Sequence, residues 1–486
     1  MLFNSLTFAL FLPVVFALYW GVFRSVTGRN LLLIVAGCVF YGWWDWRFLL
    51  LLAATSMTDY GVALAMDRTT GRIARKRWLA VSLVGNLGTL GIFKYHDFFA
   101  TSLADALSRA GIGYDPLLLH VVLPVGISFY TFQALSYTID VYRGRIGPVR
   151  DLPTYLAFIA FFPQLCAGPI ERASHMLPQF ARQRVLNTAL ATDGLRQMLW
   201  GLFKKAAVAD NCATLVDRIF TDSDHLPGPL LALGAILFAL QIYGDFSGYS
   251  DIAIGCARLF GFELMRNFAF PYFSRDIAEF WRRWHISLST WFRDYVYIPL
   301  GGSRGGTWMS VRNTFAIFLL SGFWHGANWT FLAWGFLNAV YFLPLLLGRR
   351  NRAHLGTVAP GRLLPSLGDA MRIAATFTLT CLAWVFFRAE DLGHAFRYLG
   401  RMADGWSRAG AWQRCLAVLG DHYLLAPAMA CAVLLFAVEW VQREHAHGLE
   451  RLPAQRPLRW AIYLGVLAAV VFAGDHGEQQ FIYFQF

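Results

Sequence analysis

Two histidines lie in aromatic surroundings, His285 in FWRRWHISLSTW and His325 in SGFWHGANW. Imidazole is the side chain best matched to taking a hydroxyl or thiol proton near neutral pH. In hydrocarbon it is costly unless polar partners or a wet cavity receive it. Asn328 follows His325 by three residues and shares its face if the stretch is helical, so it can orient the ring. Taken singly, either histidine fits a plain hydrogen bond across helices better than a catalytic role. Their neighbours decide between the two readings.

Residues 272–304 are amphiphilic and aromatic, and seven of the 18 tryptophans fall between 281 and 334. Arg282, Arg283, Arg293 and Arg304 suit the phosphates of a large anionic donor such as acetyl-coenzyme A. Trp284 and Trp324, each beside a histidine, are grouped with Arg282, Arg283 and Arg304 as donor-binding candidates. Interfacial anchoring by Trp and Arg is the competing use of these residues. Upstream, IYGDFSGYSDIA (242–253) puts Asp245, Ser247, Ser250 and Asp251 into an apolar run, where acids are functional candidates by default. Asp245 is taken as a supporting residue, with cavity lining or helix locking as its role.

PVGISFYTFQALSYTIDVYRG (124–144) is a polar-seeded helix of interfacial or cavity type, and FFPQLCAGPIER (161–172) breaks a helix at membrane depth. The terminal QFIYFQF is either an interfacial aromatic belt or a tail that folds back and offers Tyr483 to the reaction centre.

The elements that hold these residues must be membrane helices. Hydrophobic types make up 57% of the 486 residues and charged types 15%, against about 25% charged in a soluble domain. Apolar runs recur at 3–23, 30–66, 78–100, 117–140, 154–167, 195–220, 229–262, 312–348, 371–387, 422–441 and 459–473. They do not alternate as barrel strands do, which selects helices. The expected fold is an all-α polytopic membrane protein forming one transmembrane domain over 1–486. The 30–66 run is too long for one span and reads as a hairpin of two helices broken near GWWDWR. The first 24 residues lack a basic n-region and a cleavage site, so they read as a retained span and not a signal peptide.

The net charge of +12 gathers in loops, chiefly 68–77, 349–362 and 442–459. This calls for anionic lipid and not nucleic acid. Placing these loops in the cytoplasm sends the last span outward and leaves the tail, 474–486, extracytoplasmic, although 388–421, external on this reading, holds five arginines. Segment 312–348 then enters and returns, with His325 about 11–13 residues, or roughly 16–20 Å of helix, from the basic end. Seven scattered cysteines without a C-x-x-C read as small core residues. No metal-ligand spacing, Walker loop, dinucleotide fingerprint or nucleophile elbow is present, so no bound cofactor is expected and ATP-driven transport is unsupported.

DFSGYSDIAIGCARLFGF, FWRRWHISLSTWFRDYVYIPLGG, SGFWHGANWTFLAWG and FIYFQF together resemble the bacterial membrane-bound O-acyltransferases (MBOAT), most nearly the alginate O-acetyltransferase branch and more distantly the teichoic-acid D-alanyl transfer protein. The likeness covers most of the chain. It implies a ring of tilted helices, with re-entrant and interfacial helices around a thin centre crossed by a catalytic tunnel. It implies acyl transfer from cytoplasmic acetyl-coenzyme A across the bacterial inner membrane onto a polysaccharide, with an extracytoplasmic SGNH-type protein as partner. The family's catalytic histidine matches His325 and its second histidine matches His285. A tyrosine proposed to relay the acyl group matches Tyr483. D-alanyl, lipid or protein acylation is the alternative chemistry, and a polymer export channel or scaffold the non-enzymatic one.

Overall fold

The structure is a computed structural model that describes residues 1–406, 410–420, 425–474 and 481–482. Among these residues the regular structure is entirely helical, with no strand. Five helices are long and apolar enough to cross a membrane: Arg47–Asp67, Gly228–Leu259, Trp329–Leu347, Leu367–Arg388 and Arg456–Ala473. A helix satisfies its own backbone, which hydrocarbon demands. Of these spans Gly228–Leu259 is 83% buried and Arg456–Ala473 only 6%, so one is surrounded by protein and the other faces outward.

The chain divides into two compact units, residues 1–194 with 256–265, and residues 195–255 with 266–486. In the first, the 30–66 run is two helices, Val26–Gly42 and Arg47–Asp67, as its length required. The acid within the second of them, Asp59, is fully buried and accepts from Ser82 Oγ at 2.6 Å and Asn86 Nδ2 at 2.8 Å. The helix expected over 117–140 starts only at Ile127. Pro116 and Pro124 supply no N–H, and Gly126 at φ 75° turns the chain, so 112–126 stays irregular. Ile127–Tyr142 is almost wholly buried in this unit, and its polar side chains bond internally, Gln133 Nε2 to the Phe158 carbonyl at 2.7 Å among them. Its polarity therefore reflects internal hydrogen bonds, not an interface. The break at 161–172 is present, with one short helix at Phe162–Leu165.

The second unit holds both histidines. Two short helices, Ile277–Arg283 and Ile286–Phe292, lead to a hairpin of Thr307–His325 and Trp329–Leu347. The two arms approach backbone to backbone. A Cβ on Gly322 would lie 2.2 Å from the Phe331 carbonyl oxygen, and one on Gly335 2.4 Å from that of Phe318. Small residues at such crossings are how apolar helices associate without a hydrophobic drive.

Helix Thr188–Leu202 continues into a π-helical stretch, Phe203–Asp210. There the consecutive Lys204 and Lys205, both buried, serve separate acid pairs. Lys204 Nζ meets Asp251 and Glu439 at 2.9 Å each, and Lys205 Nζ meets Asp210 and Asp245 at 2.8 Å each. The wider π turn fits its common use at functional sites.

Candidate active site

His325 is the last residue of its helix and is 3% exposed. Gly326 follows in an extended conformation, and a Cβ there would lie 2.0 Å from the Phe331 ring. The helix ends here, so Asn328 does not share its face. Asn328 instead caps the next helix, its Oδ1 accepting from Thr330 N at 3.1 Å and its Nδ2 donating to the Glu390 carbonyl at 2.8 Å. Aromatic rings surround His325: Trp324, Trp334 and Phe387, with centroids at 4.9, 5.1 and 5.3 Å.

His285 is 1% exposed and sits at φ 44°, ψ 54°, in the left-handed region, where it caps Ile286–Phe292. A non-glycine residue there stores strain of about 1–3 kcal/mol, a pattern that clusters at functional sites. The fully buried Asn267 holds it. Asn267 Oδ1 meets His285 Nδ1 at 3.1 Å and accepts from Ser287 Oγ at 2.9 Å, while its main-chain carbonyl accepts from Ile286 N at 2.9 Å. Ser250 of the long helix anchors the other end of the amide, Nδ2 to Oγ at 3.0 Å. Phe246 stands edge-on to His285 at 4.6 Å. The two histidine rings are 6.3 Å apart between centroids, and Trp324 lies against both. Two imidazoles at that spacing can contact one small reacting group from both sides.

Asp245 and the start of the tail meet at the same helix. Asp245 Oδ2 accepts from the backbone N–H of Ile482 at 2.6 Å. Phe481 lies tilted against Tyr249 at 4.6 Å and reaches Phe246, the neighbour of His285, at 5.9 Å. Phe481 and Ile482 are 1% and 2% exposed, so the described part of the tail is buried in protein and not spread as an interfacial belt. Tyr483 lies outside the described residues.

The donor-binding candidates separate. Arg282 donates to the carbonyls of Asn351 and His354 at 2.7 and 2.8 Å, and Arg283 pairs with Glu279 at 2.9 Å and donates to the Gly356 carbonyl at 3.0 Å. Both tie down the 349–362 loop. Burial alone would raise the Glu279 carboxyl, but hydrogen bonds from Arg275 and the charges of Arg283 and Arg275 more than offset it, so its pKa lies below the ordinary value. Arg304 is exposed in the 301–306 loop. Trp284 is fully buried in an aromatic cluster with Phe268 and Trp384.

A cavity of about 550 Å³ instead gathers Arg293, Arg349 and Arg352 with Ser303, Thr307, Ser310 and Thr314, and Phe318 and Phe342 also line it. From Phe318 a run of aromatic contacts continues through Trp281 (5.3 Å) and Trp334 (5.6 Å) to His325 (5.1 Å).

Asn267, Lys204, Lys205, Arg349 and Arg352 were not among the sequence candidates. Adjacent lysines inside an apolar run were a readable signal. Asn267, in a loop, carried none.

The model of the membrane-bound O-acyltransferase family, MBOAT, matches residues 146–386. The chain is 42% identical over 416 residues to the probable alginate O-acetylase AlgI of Pseudomonas aeruginosa, covering 85% of this chain and 76% of the relative. It is 36% identical over 432 residues to the peptidoglycan O-acetyltransferase of Helicobacter pylori, covering 83% and 80%. Similarity to the teichoic acid D-alanyltransferase of Bacillus subtilis is lower, 29% over 289 residues, covering 56% and 70%.

Proposed function

The chain belongs to the membrane-bound O-acyltransferase family of polytopic membrane enzymes, and from that membership we propose that it moves an acetyl group from acetyl-coenzyme A to an exported or cell-surface polysaccharide. The relatives named for alginate and peptidoglycan O-acetylation support the acceptor class. The observation that carries the reading is the buried histidine pair, 6.3 Å apart, at the inner end of aromatic contacts that begin in an arginine-rimmed cavity.

The donor's phosphates meet Arg293, Arg349 and Arg352, whose charges suit organophosphate. Its acetyl-thioester arm runs past Phe318 toward His325. The acceptor oxygen attacks the thioester carbon, the C–S bond breaks, and the proton lost by the hydroxyl goes by way of the histidine pair to the departing sulfur. Arg282 and Arg283 act from behind, holding the loop that carries Arg349 and Arg352. Acyl groups leave by way of the tail, whose Ile482 is anchored by Asp245, and Tyr483 is the residue that receives them or passes them on to an SGNH-type partner. On this reading the chain lies in a bacterial inner membrane with its tail outside.

The test uses purified protein in detergent with acetyl-coenzyme A and candidate acceptors. His325→Ala lowers turnover by about 10²–10⁴-fold, the usual worth of a proton-transfer group. Near wild-type turnover and unchanged polymer acetylation in a folded His325→Ala protein would sink the assignment. The similarity to a teichoic acid D-alanyltransferase favours one second reading, D-alanyl transfer. Activity with a D-alanyl thioester and none with acetyl-coenzyme A would select it.

A further inference from the structure

We infer that Asn267 is a positioning residue that fixes the tautomer of His285, so that His285 presents the lone pair of Nε2 to the reacting groups and enters the reaction as an acceptor of hydrogen. The inference rests on the reading of the histidine pair as the reaction centre.

The assignment comes from one main-chain group. Asn267 Oδ1 lies 3.1 Å from His285 Nδ1, 2.9 Å from Ser287 Oγ and 3.3 Å from Ser287 N. A backbone N–H can only donate, so the amide atom facing it is the oxygen. The alternative amide orientation would set an NH₂ against that N–H and withdraw the donor now given to Ser250 Oγ at 3.0 Å. With oxygen there, His285 Nδ1 must bring the hydrogen. A neutral imidazole carries one N–H, so Nε2 holds the lone pair. The main-chain bond from Ile286 N to the Asn267 carbonyl, 2.9 Å, holds the strained turn at His285 in the same register.

The consequence narrows the chemistry of His285. A neutral ring with its lone pair at Nε2 cannot polarise the thioester carbonyl through that atom. It takes the acceptor's proton instead. The acceptor O–H gives its hydrogen to Nε2 of His285 as oxygen bonds to the thioester carbon, the resulting imidazolium keeps its Nδ1–H on Asn267 Oδ1, and the proton passes on through His325 to the sulfur, which leaves as a thiol as the C–S bond breaks. No oxidant or reductant is involved.

Three measurements on the full chain test this. Asn267→Asp keeps an acceptor for Nδ1 and adds a negative charge. It retains turnover and moves the acid limb of the kcat/KM–pH profile to higher pH, by about one unit or more. Asn267→Ala lowers kcat at least tenfold, with KM for acetyl-coenzyme A within about twofold. Nitrogen-15 spectra of histidine-labelled protein, with His285→Gln to assign the signal, show Nδ1 protonated and Nε2 bare. A protonated Nε2 in the neutral ring, or an Asn267→Asp profile superimposable on wild type, overturns the inference. Should Asn267→Ala fail to fold, the other two measurements still decide. Full turnover in His285→Ala would instead bring down the underlying reading of the site.

Discussion

His285 and Arg349 illustrate two ways in which single residues are placed at the proposed site. His285 is held in a left-handed conformation that costs about 1–3 kcal/mol, and several hydrogen bonds to one buried asparagine offset that cost. Arg349 and Arg352 are exposed at the rim of the 550 Å³ cavity, where each charge is worth little alone. Their joint effect is measurable. The double variant Arg349→Ala, Arg352→Ala raises KM for acetyl-coenzyme A about tenfold at low salt, with kcat unchanged, and the difference shrinks at high salt. Unchanged KM at low salt would remove this cavity as the donor's phosphate site. Arg282→Ala acts through the loop it ties and likewise raises KM with kcat unchanged, because its bonds go to carbonyls of the loop that carries Arg349 and Arg352.

At the level of elements, the hairpin of Thr307–His325 and Trp329–Leu347 decides where His325 lies. Gly322 and Gly335 let its arms touch backbone to backbone, and Gly326 leaves room for the Phe331 ring. Gly335→Ala forces a Cβ to within 2.4 Å of the Phe318 carbonyl oxygen unless the arms part. Such overpacking costs about 1–3 kcal/mol. We expect a lower thermal midpoint in detergent and a larger loss of kcat than of donor affinity, since parting the arms moves His325. A variant with wild-type midpoint and turnover would show that the contact is not needed. The π-helical stretch with Lys204 and Lys205 has a comparable part: it fixes Asp251 and Asp245 of the long helix, and through Asp245 the tail.

For the whole molecule, the question is whether one chain supplies both the base and the exit for the acyl group. The anchoring of Ile482 by Asp245 and the contact of Phe481 with Phe246 support a tail that works at the reaction centre. Tyr483→Phe removes one oxygen and keeps the aromatic ring. Polymer acetylation in cells fails in this variant while acetyl-coenzyme A binding to the purified protein is retained. Wild-type polymer acetylation would end the relay proposal.

Much of this was legible in the sequence. Apolar runs without strand alternation dictated helices, because hydrocarbon leaves the backbone no other partner. The break at residues 43–46 followed from span length. His285 and His325 stood out because polar side chains in apolar, aromatic stretches need a reason, and together with their flanking motifs they identified the family. What the sequence could not carry was long-range pairing. Asn267 reaches His285 across 18 residues, and Lys204 reaches Glu439 across the second unit. Asn328 kept the right helical spacing yet serves another helix, because the first one ends at His325 and Gly326 is extended. Arg282 and Arg283 had the right charge but spend it on loop carbonyls and Glu279, leaving Arg293, Arg349 and Arg352 at the cavity. Charge and polarity are local properties of a chain. Which partner satisfies them depends on which segments pack together, and only the tertiary structure settles that.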